Sequence, residues 1–249
     1  MKKDTLLKVV NTVTTLVVIV INALANALPI NGLNTGQISD RFEVYFVPAG
    51  YVFSIWGLIY LALLAFTVYQ WLPQSDKARE RIGYFYALSG IANSVWIFLW
   101  HYLQFPLTLL AMLVLLGSLI AIYLRLGIGQ RRFETLERWA VQIPFSIYLG
   151  WITVATIANV TSLLDYLRWG GWGIAPEIWA VIMLLVAAGV ALAVSFTRGD
   201  IAYILVIVWA YIGIAVKHTA TPLVMIPAAV LAGIVGLSLV VTARRPRSA

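Results

Sequence analysis

The sequence predicts an all-α fold, a polytopic transmembrane helix bundle of about eight spans, and three observations carry that reading. Of 249 residues, 62% are hydrophobic and only 11% charged, with a mean hydropathy of +0.92. A soluble domain would carry about 25% charged residues, so lipid is the solvent that suits this surface. The apolar residues gather into runs long enough, or nearly so, to cross a bilayer core of roughly 30 Å. Finally, the basic residues fall between those runs and alternate in density, which is a signal of topology.

The runs lie at about 6–28, 48–72, 83–104, 106–124, 139–163, 177–196, 201–217 and 222–243. The first follows Lys2, Lys3 and Asp4 as the core of a signal peptide would. It is longer than such a core and is interrupted by Asn22 and Asn26, so it reads as a span. The seventh is short, and only Lys217–Pro222 separates it from the eighth; a re-entrant hairpin is the alternative there. Short alternating segments of the kind that build a membrane β-barrel are absent. The long connections, about 29–47 and 164–176, both lie on the outer side. The first carries Asn31, Gly32, Asn34 and Gly36, then Phe42, Tyr45 and Phe46. The second carries Tyr166, Trp169, Gly170, Gly171, Trp172 and Gly173. Both suit an interfacial aromatic belt or a cover over the bundle mouth.

Eight spans place Lys2, Lys3, Lys8, Lys77, Arg79, Arg81, Arg125, Arg131, Arg132, Arg138, Arg198, Arg244, Arg245 and Arg247 on one side. Arg41, Arg168 and Lys217 are on the other. Positive loops resist translocation, so the denser side is expected to be cytoplasmic and to hold both termini, with the cell membrane as the expected location. The net charge of +7 is therefore spread over loops and not gathered in a nucleic-acid patch. No nucleic-acid partner is expected.

The membrane interior narrows the function. There is no cysteine, hence no disulfide, thiolate nucleophile or cysteine metal site. Away from their ends the runs hold no Asp, Glu, Lys, Arg or His. Proton pumps and ion-coupled transporters keep such groups at depth, and ordinary acid–base or nucleophilic catalysis needs them. No catalytic residue, metal ligand or resident cofactor is expected, and an enzyme stays only as a lesser alternative. His101 and His218 stand at outer helix ends, where histidines are usually solvated. Lys217 ends the seventh run, suited to snorkelling to the interface. The interior polar groups are amides and hydroxyls. Asn22 and Asn26 share a helix face, and Asn93 and Asn159 lie in the third and fifth runs. They are expected to face the bundle, as helix-to-helix bonds or as the lining of a small-molecule pocket.

Three segments then carry a resemblance. The second run opens Pro48-Ala49-Gly50-Tyr51-Val52-Phe53-Ser54-Ile55-Trp56, followed by Tyr60. The third contains Asn93-Ser94-Val95-Trp96, with Trp100 one turn on. The fifth reads Tyr148-Leu149-Gly150-Trp151-Ile152-Thr153-Val154-Ala155-Thr156-Ile157-Ala158-Asn159. In order and spacing these resemble the TspO/MBR family, the tryptophan-rich sensory or translocator proteins. That family's second helix begins Pro-Pro-x-Trp-Val-Phe, its third carries Asn-x-x-Trp, and its fifth carries Tyr-Leu-x-Trp-x-Thr-x-Ala-Thr-x-x-Asn. The fifth-run match is the most specific. Ala49 replaces the second proline and Tyr51 the tryptophan. The gap from Phe53 to Trp56 is one residue shorter, and the proline before the fifth-run tyrosine is displaced to Pro144.

The resemblance covers residues 1–165, read as a five-helix TspO-like membrane core. It leaves 166–249 as an additional three-helix membrane region and implies that the core holds the pocket alone. It also implies binding of porphyrins, sterols or synthetic aromatic ligands, so a porphyrin-type ligand is expected in place of a cofactor. Tyr51, Trp56, Asn93, Trp96, Trp151 and Ala155 are the residues it brings to the pocket. The chemistry is compatible, because flat apolar ligands stack on indole and phenol faces while a few amides orient them. Leu164-Asp165-Tyr166-Leu167-Arg168 fits the loose cholesterol-recognition pattern. The expected role is a sensor or translocator of a tetrapyrrole- or sterol-like molecule; the alternative is an uncoupled small-metabolite transporter or channel. The expected partners are the lipid bilayer, a hydrophobic small-molecule ligand and a second copy in a homodimer.

Overall fold

A computed structural model describes residues 3–28 and 30–243, the side chains of Lys3, Asn26 and residues 241–243 excepted. Lys2, Arg244, Arg245, Arg247 and the Asn26 amide thus lie outside the described residues. In chain order the helices are α1 (Lys3–Ala27), α2 (Thr35–Ser39), α3 (Ile55–Tyr69), α4 (Asp76–Ile82), α5 (Phe85–His101), α6 (Phe105–Leu126), α7 (Thr135–Glu137), α8 (Ile143–Tyr166), α9 (Pro176–Arg198), α10 (Ile201–Lys217) and α11 (Pro222–Ala243). A 3-10 turn, Gly50–Ser54, leads into α3, and a π turn, Arg138–Gln142, leads into α8. Among the described residues there is no strand. In lipid a helix satisfies its own backbone groups, which is why apolar runs of this length take that form.

Each of the eight apolar runs is helical. Six helical segments are long and apolar enough to cross a membrane, and a seventh span results if Pro73–Ile82 and Phe85–His101, bent by 61°, are taken together. The bend falls at Gly83, whose φ of 55° suits a residue without a side chain. α10 has 17 residues, about 26 Å at 1.5 Å per residue, and falls short of the length of a full span. The integral membrane character stands, with six to seven full-length spans.

The chain packs as two compact units. Unit 1 takes in the chain up to Arg41, Trp56–Ile128 and Phe133–Leu149; unit 2 takes in Phe42–Ile55, Gly129–Arg132 and the chain from Gly150. In unit 1, α1 and α6 both pack on α5. The approach of α1 depends on Gly90, where a Cβ would lie 2.1 Å from Thr14 Cγ2. Deeper contacts are polar. The Thr15 hydroxyl meets Thr67 Oγ1 and the Tyr86 phenol, both at 2.7 Å. At the end that carries the N-terminus, the buried Arg79 pairs with Asp4 and Asp76 and donates to the Gln70 carbonyl at 3.1 Å and Ser75 Oγ at 3.0 Å.

In unit 2, α9, α10 and α11 pack on one another. Gly199 in the left-handed region ends α9, and Asp200 caps α10 by accepting from the Tyr203 N–H at 3.3 Å. Ser195 donates to Ser238 at 2.9 Å, and the Tyr211 hydroxyl donates to the Leu184 carbonyl at 2.5 Å. α8 meets α10 where Gly150 lies; a Cβ there would sit 3.1 Å from Val206 and 3.2 Å from the Tyr203 carbonyl. Small residues at such crossings let helices approach closely in lipid.

Candidate ligand site

Of the six expected site residues, Trp56, Asn93 and Trp96 belong to unit 1, and Tyr51, Trp151 and Ala155 to unit 2. In unit 1, Asn93 is 1% exposed and accepts from Asn22 Nδ2 at 2.7 Å. Asn93 is also hydrogen-bonded to the Tyr148 phenol. Trp56, in the first turn of α3, stacks on Tyr60 one turn later, with centroids 5.5 Å apart and planes at 20°. Its edge meets the ring of the same Tyr148 at 6.0 Å. Tyr148 thus ties Trp56 to the Asn22–Asn93 pair. Trp96 stands one helical turn beyond Asn93 and stacks on Trp100 at 5.2 Å. Trp100 in turn donates from Nε1 to the Thr35 carbonyl at 3.2 Å.

That last contact belongs to a clamp on the connection after α1. His101 is fully buried, not solvated as its place at a helix end suggested. Its Nδ1 lies 3.1 Å from the Ile30 carbonyl and its Nε2 3.1 Å from Thr35 Oγ1. A carbonyl can only accept, so in the neutral ring Nδ1 carries the proton and Nε2 accepts from the threonine. Asn31 Nδ2 closes the clamp by donating to the His101 carbonyl at 3.0 Å.

In unit 2, Tyr51 sits in the Gly50–Ser54 turn and is 46% exposed. Its ring meets Trp209 of α10 edge-on, with centroids at 5.4 Å and planes at 82°. Trp151 is 2% exposed, and its ring meets Phe53 at 5.7 Å and 86°. Ala155, one turn on, is half-buried. Like Asn93, the interior amides Asn22 and Asn159 are both buried, as expected.

Two hollows lie apart from the six residues. One in unit 1, of about 820 Å³, is lined by Asp4, Asp76, Glu80, Tyr84, Phe85 and Arg125 among others. The other, an apolar groove of about 420 Å³ in unit 2, runs between α10 and α11 beside Ala215, Met225 and Ala229. Among the described residues no three histidine or carboxylate side chains gather as a metal site requires.

The TSPO-like protein family model matches residues 8–241. The chain belongs to the TSPO-like family. The match runs on past Tyr166 through α9 and α10 and most of α11, so the family region is not confined to the first five runs. No curated protein and no solved structure matches the chain. For this TSPO-like protein, sequence reasoning missed Tyr148 as the link between Trp56 and Asn93, although it opens the best-matched motif. It also missed Trp209. No motif marks that residue; only its place, a lone tryptophan in an aliphatic run, sets it apart.

Proposed function

We propose that this TSPO-like protein binds a flat, hydrophobic aromatic molecule, tetrapyrrole- or sterol-like, and serves as its sensor or translocator. The observation that carries the reading is the state of the motif rings. Tyr51 keeps nearly half its surface open beside Trp209, itself 36% exposed, while buried amides stand behind Trp56. The outermost rings of a stacking site must stay reachable for a planar ligand, as Tyr51 and Trp209 do, while a covered ring such as Trp151 would form its inner wall. The same reading keeps Tyr51, Trp56, Asn93, Trp96, Trp151 and Ala155 as its ligand-binding residues, with the ligand entering from the outer side. It sets both termini in the cytoplasm and the protein in the cell membrane, on the distribution of lysine and arginine.

The test is a titration of the purified full-length protein with protoporphyrin, read by quenching of its ten tryptophans. Each stacking contact contributes about 1 kcal/mol beyond burial, roughly fivefold in affinity. Trp151→Phe should weaken binding by about that factor with little loss of thermal stability, and Trp169→Phe in the outer loop should change little. Equal affinity in wild type, Trp151→Phe and Trp96→Phe/Trp151→Phe would return these rings to ordinary packing. Passage of a small metabolite into proteoliposomes without ligand binding would favour an uncoupled transporter instead.

A further inference from the structure

The segment that opens the second apolar run does not stand by its own hydrogen bonds alone; its Val52 N–H returns to the Ala49 carbonyl at 3.0 Å, and the rest of its support comes from outside. Pro48 to Ser54 lies against α10, and four contacts define the docking. The Ala49 N–H, which precedes the 3-10 turn, donates to the Gly213 carbonyl at 3.0 Å. Trp209 Nε1 donates to the Val52 carbonyl at 3.2 Å. The Trp209 ring stands edge-on to Tyr51. Gly213 leaves room that no other residue would: a Cβ at that position would lie 2.2 Å from Val52 Cγ2 and 3.0 Å from Pro48 Cβ. Val52 is fully buried, so it cannot swing aside into solvent or lipid. One donor and one acceptor of the segment's backbone are thus bonded to a helix about 160 residues later in the chain, and the fit depends on a missing side chain.

We infer that α10 is a working part of the ligand site, with Gly213 and Trp209 as its positioning residues. This rests on the ligand-binding reading above and deepens it. Gly213 sets how deeply the Pro48–Ser54 segment seats, and therefore where Tyr51 and Phe53 stand; Phe53 in turn backs Trp151. Trp209 does more than hold the Val52 carbonyl. With Tyr51 it forms a corner of two rings nearly at right angles, both partly open. A planar aromatic ligand fits such a corner by stacking on one ring while offering its edge to the other, the two arrangements that ring quadrupoles favour. The ligand class is the same flat, apolar ring system. The new element is that the C-terminal helices supply one wall, so residues up to 165 do not hold the site alone.

The experiment uses the full-length chain, protoporphyrin as the probe, and a nitroxide on Ser54→Cys, which labels uniquely because the protein has no cysteine. Gly213→Ala should weaken protoporphyrin binding by about tenfold or more and loosen the label. The conservative Trp209→Phe, which keeps a ring and removes the N–H, should weaken binding by about threefold and loosen the label partly. The decisive variant is Val52→Ala/Gly213→Ala. Trimming Val52 gives the new methyl its space, and affinity and label mobility should both return toward wild type. A loss of fold elsewhere would not be repaired by that second change. Gly213→Ala with wild-type affinity and an unmoved label overturns the inference, as does a double variant no better than the single one. If wild type itself binds no protoporphyrin, the ligand-binding reading fails and α10 loses its part in a site. Label mobility in Gly213→Ala and the double variant then shows by itself whether α10 positions the segment, and an unmoved label rejects that too.

Discussion

In unit 1 a candidate residue meets its neighbours through an amide: Asn93 takes a hydrogen bond from Asn22 and shares another with Tyr148. In unit 2 the candidates Tyr51 and Trp151 meet theirs through ring edges, at Trp209 and Phe53. The surroundings repeat the contrast. Thr15, Thr67 and Tyr86 share one hydroxyl cluster in unit 1, and Arg79 gathers two carboxylates, a carbonyl and a hydroxyl. Unit 2 has its own helix-to-helix bonds, such as Ser195 to Ser238, but the Pro48–Ser54 segment is seated on glycine and indole. Hydrogen bonds between helices fix register in a solvent as apolar as the side chains themselves. Ring edges fix it less firmly, and a ring contact can be traded for a ligand without stranding a polar group. On the proposed function, the Asn22–Asn93–Tyr148 cluster of unit 1 is the part expected to stay put, and the Tyr51 region of unit 2 the part expected to yield to a ligand.

The largest effect should come from breaking the polar frame of unit 1 at Arg79. Its side chain is 1% exposed, while its partners Asp4 and Asp76 are about half exposed. Removing one partner of a fully buried pair costs about 3–5 kcal/mol. Here the carboxylates keep access to water and Ser75 Oγ still donates to the Gln70 carbonyl at 2.8 Å, so Arg79→Gln should cost about 2–3 kcal/mol, chiefly by releasing Asp4 and freeing the start of α1. Thermal unfolding in detergent or bicelles measures it. A change no larger than that of Arg81→Gln, a residue with one long contact to the Leu126 carbonyl, would show that the cluster does not frame unit 1.

A pair of double-mutant cycles sharpens the comparison at smaller energies. Asn22→Leu and Asn93→Leu should couple by about 0.6–1.7 kcal/mol, the range for hydrogen bonds between membrane helices. Asn22 Nδ2 also reaches the Val18 carbonyl at 2.9 Å, which keeps the value toward the lower end. Tyr51→Leu and Trp209→Leu should couple by about 0.5–1.5 kcal/mol without ligand. Saturating protoporphyrin should change the second coupling and leave the first nearly unmoved. Equal response of both cycles would erase the distinction between the two regions.

The sequence made the helices legible, because eight apolar runs bounded by charge and glycine leave lipid little else to accept. The burial of Asn22, Asn93 and Asn159 was legible for the same reason. An unpaired amide is costly in lipid, so each had to turn inward. The family was legible in twelve positions of the fifth run. The span count was less so. A bend at Gly83 and a 17-residue α10 are matters of a few ångströms that hydropathy does not resolve. His101 read as a solvated end residue because nothing local reveals that residues 30–35 fold back over it. Trp209 and Gly213 were invisible as site-forming residues for a related reason. Their partners at 48–52 are far off in the chain, and a glycine in an apolar helix looks the same whether a neighbour fills its gap or lipid does.

The smallest expected effect lies at a corner of unit 2, where Tyr45 meets His218 at a centroid distance of 5.3 Å and donates to Glu177 Oε1 at 2.9 Å. Tyr45 holds its proton more firmly than a free phenol, first because it donates to the Glu177 carboxylate and then through burial, so it remains a donor across the working range. His218 moves the other way. Burial lowers its pKa from the ordinary 6.5, and the neighbouring Lys217 lowers it further. Bonds to the Val47 and Tyr45 carbonyls pull it back only in part. Glu177 and Glu43 complete the charged groups around this corner. With the folded pKa below the unfolded one, the unfolded chain takes up the proton first as pH falls. Stability should therefore begin to drop below about pH 6.5 and level off once the folded ring also titrates. The ring is only half-buried, so solvent screens the effect and the drop is modest. Thermal midpoints at pH 7.5 and 5.5 should fall further apart in wild type than in His218→Gln, which keeps a polar side chain but cannot titrate. An identical pH response in wild type and His218→Gln would mean that the corner is held by Tyr45 and Glu177 alone, and that the histidine is a spectator beside them.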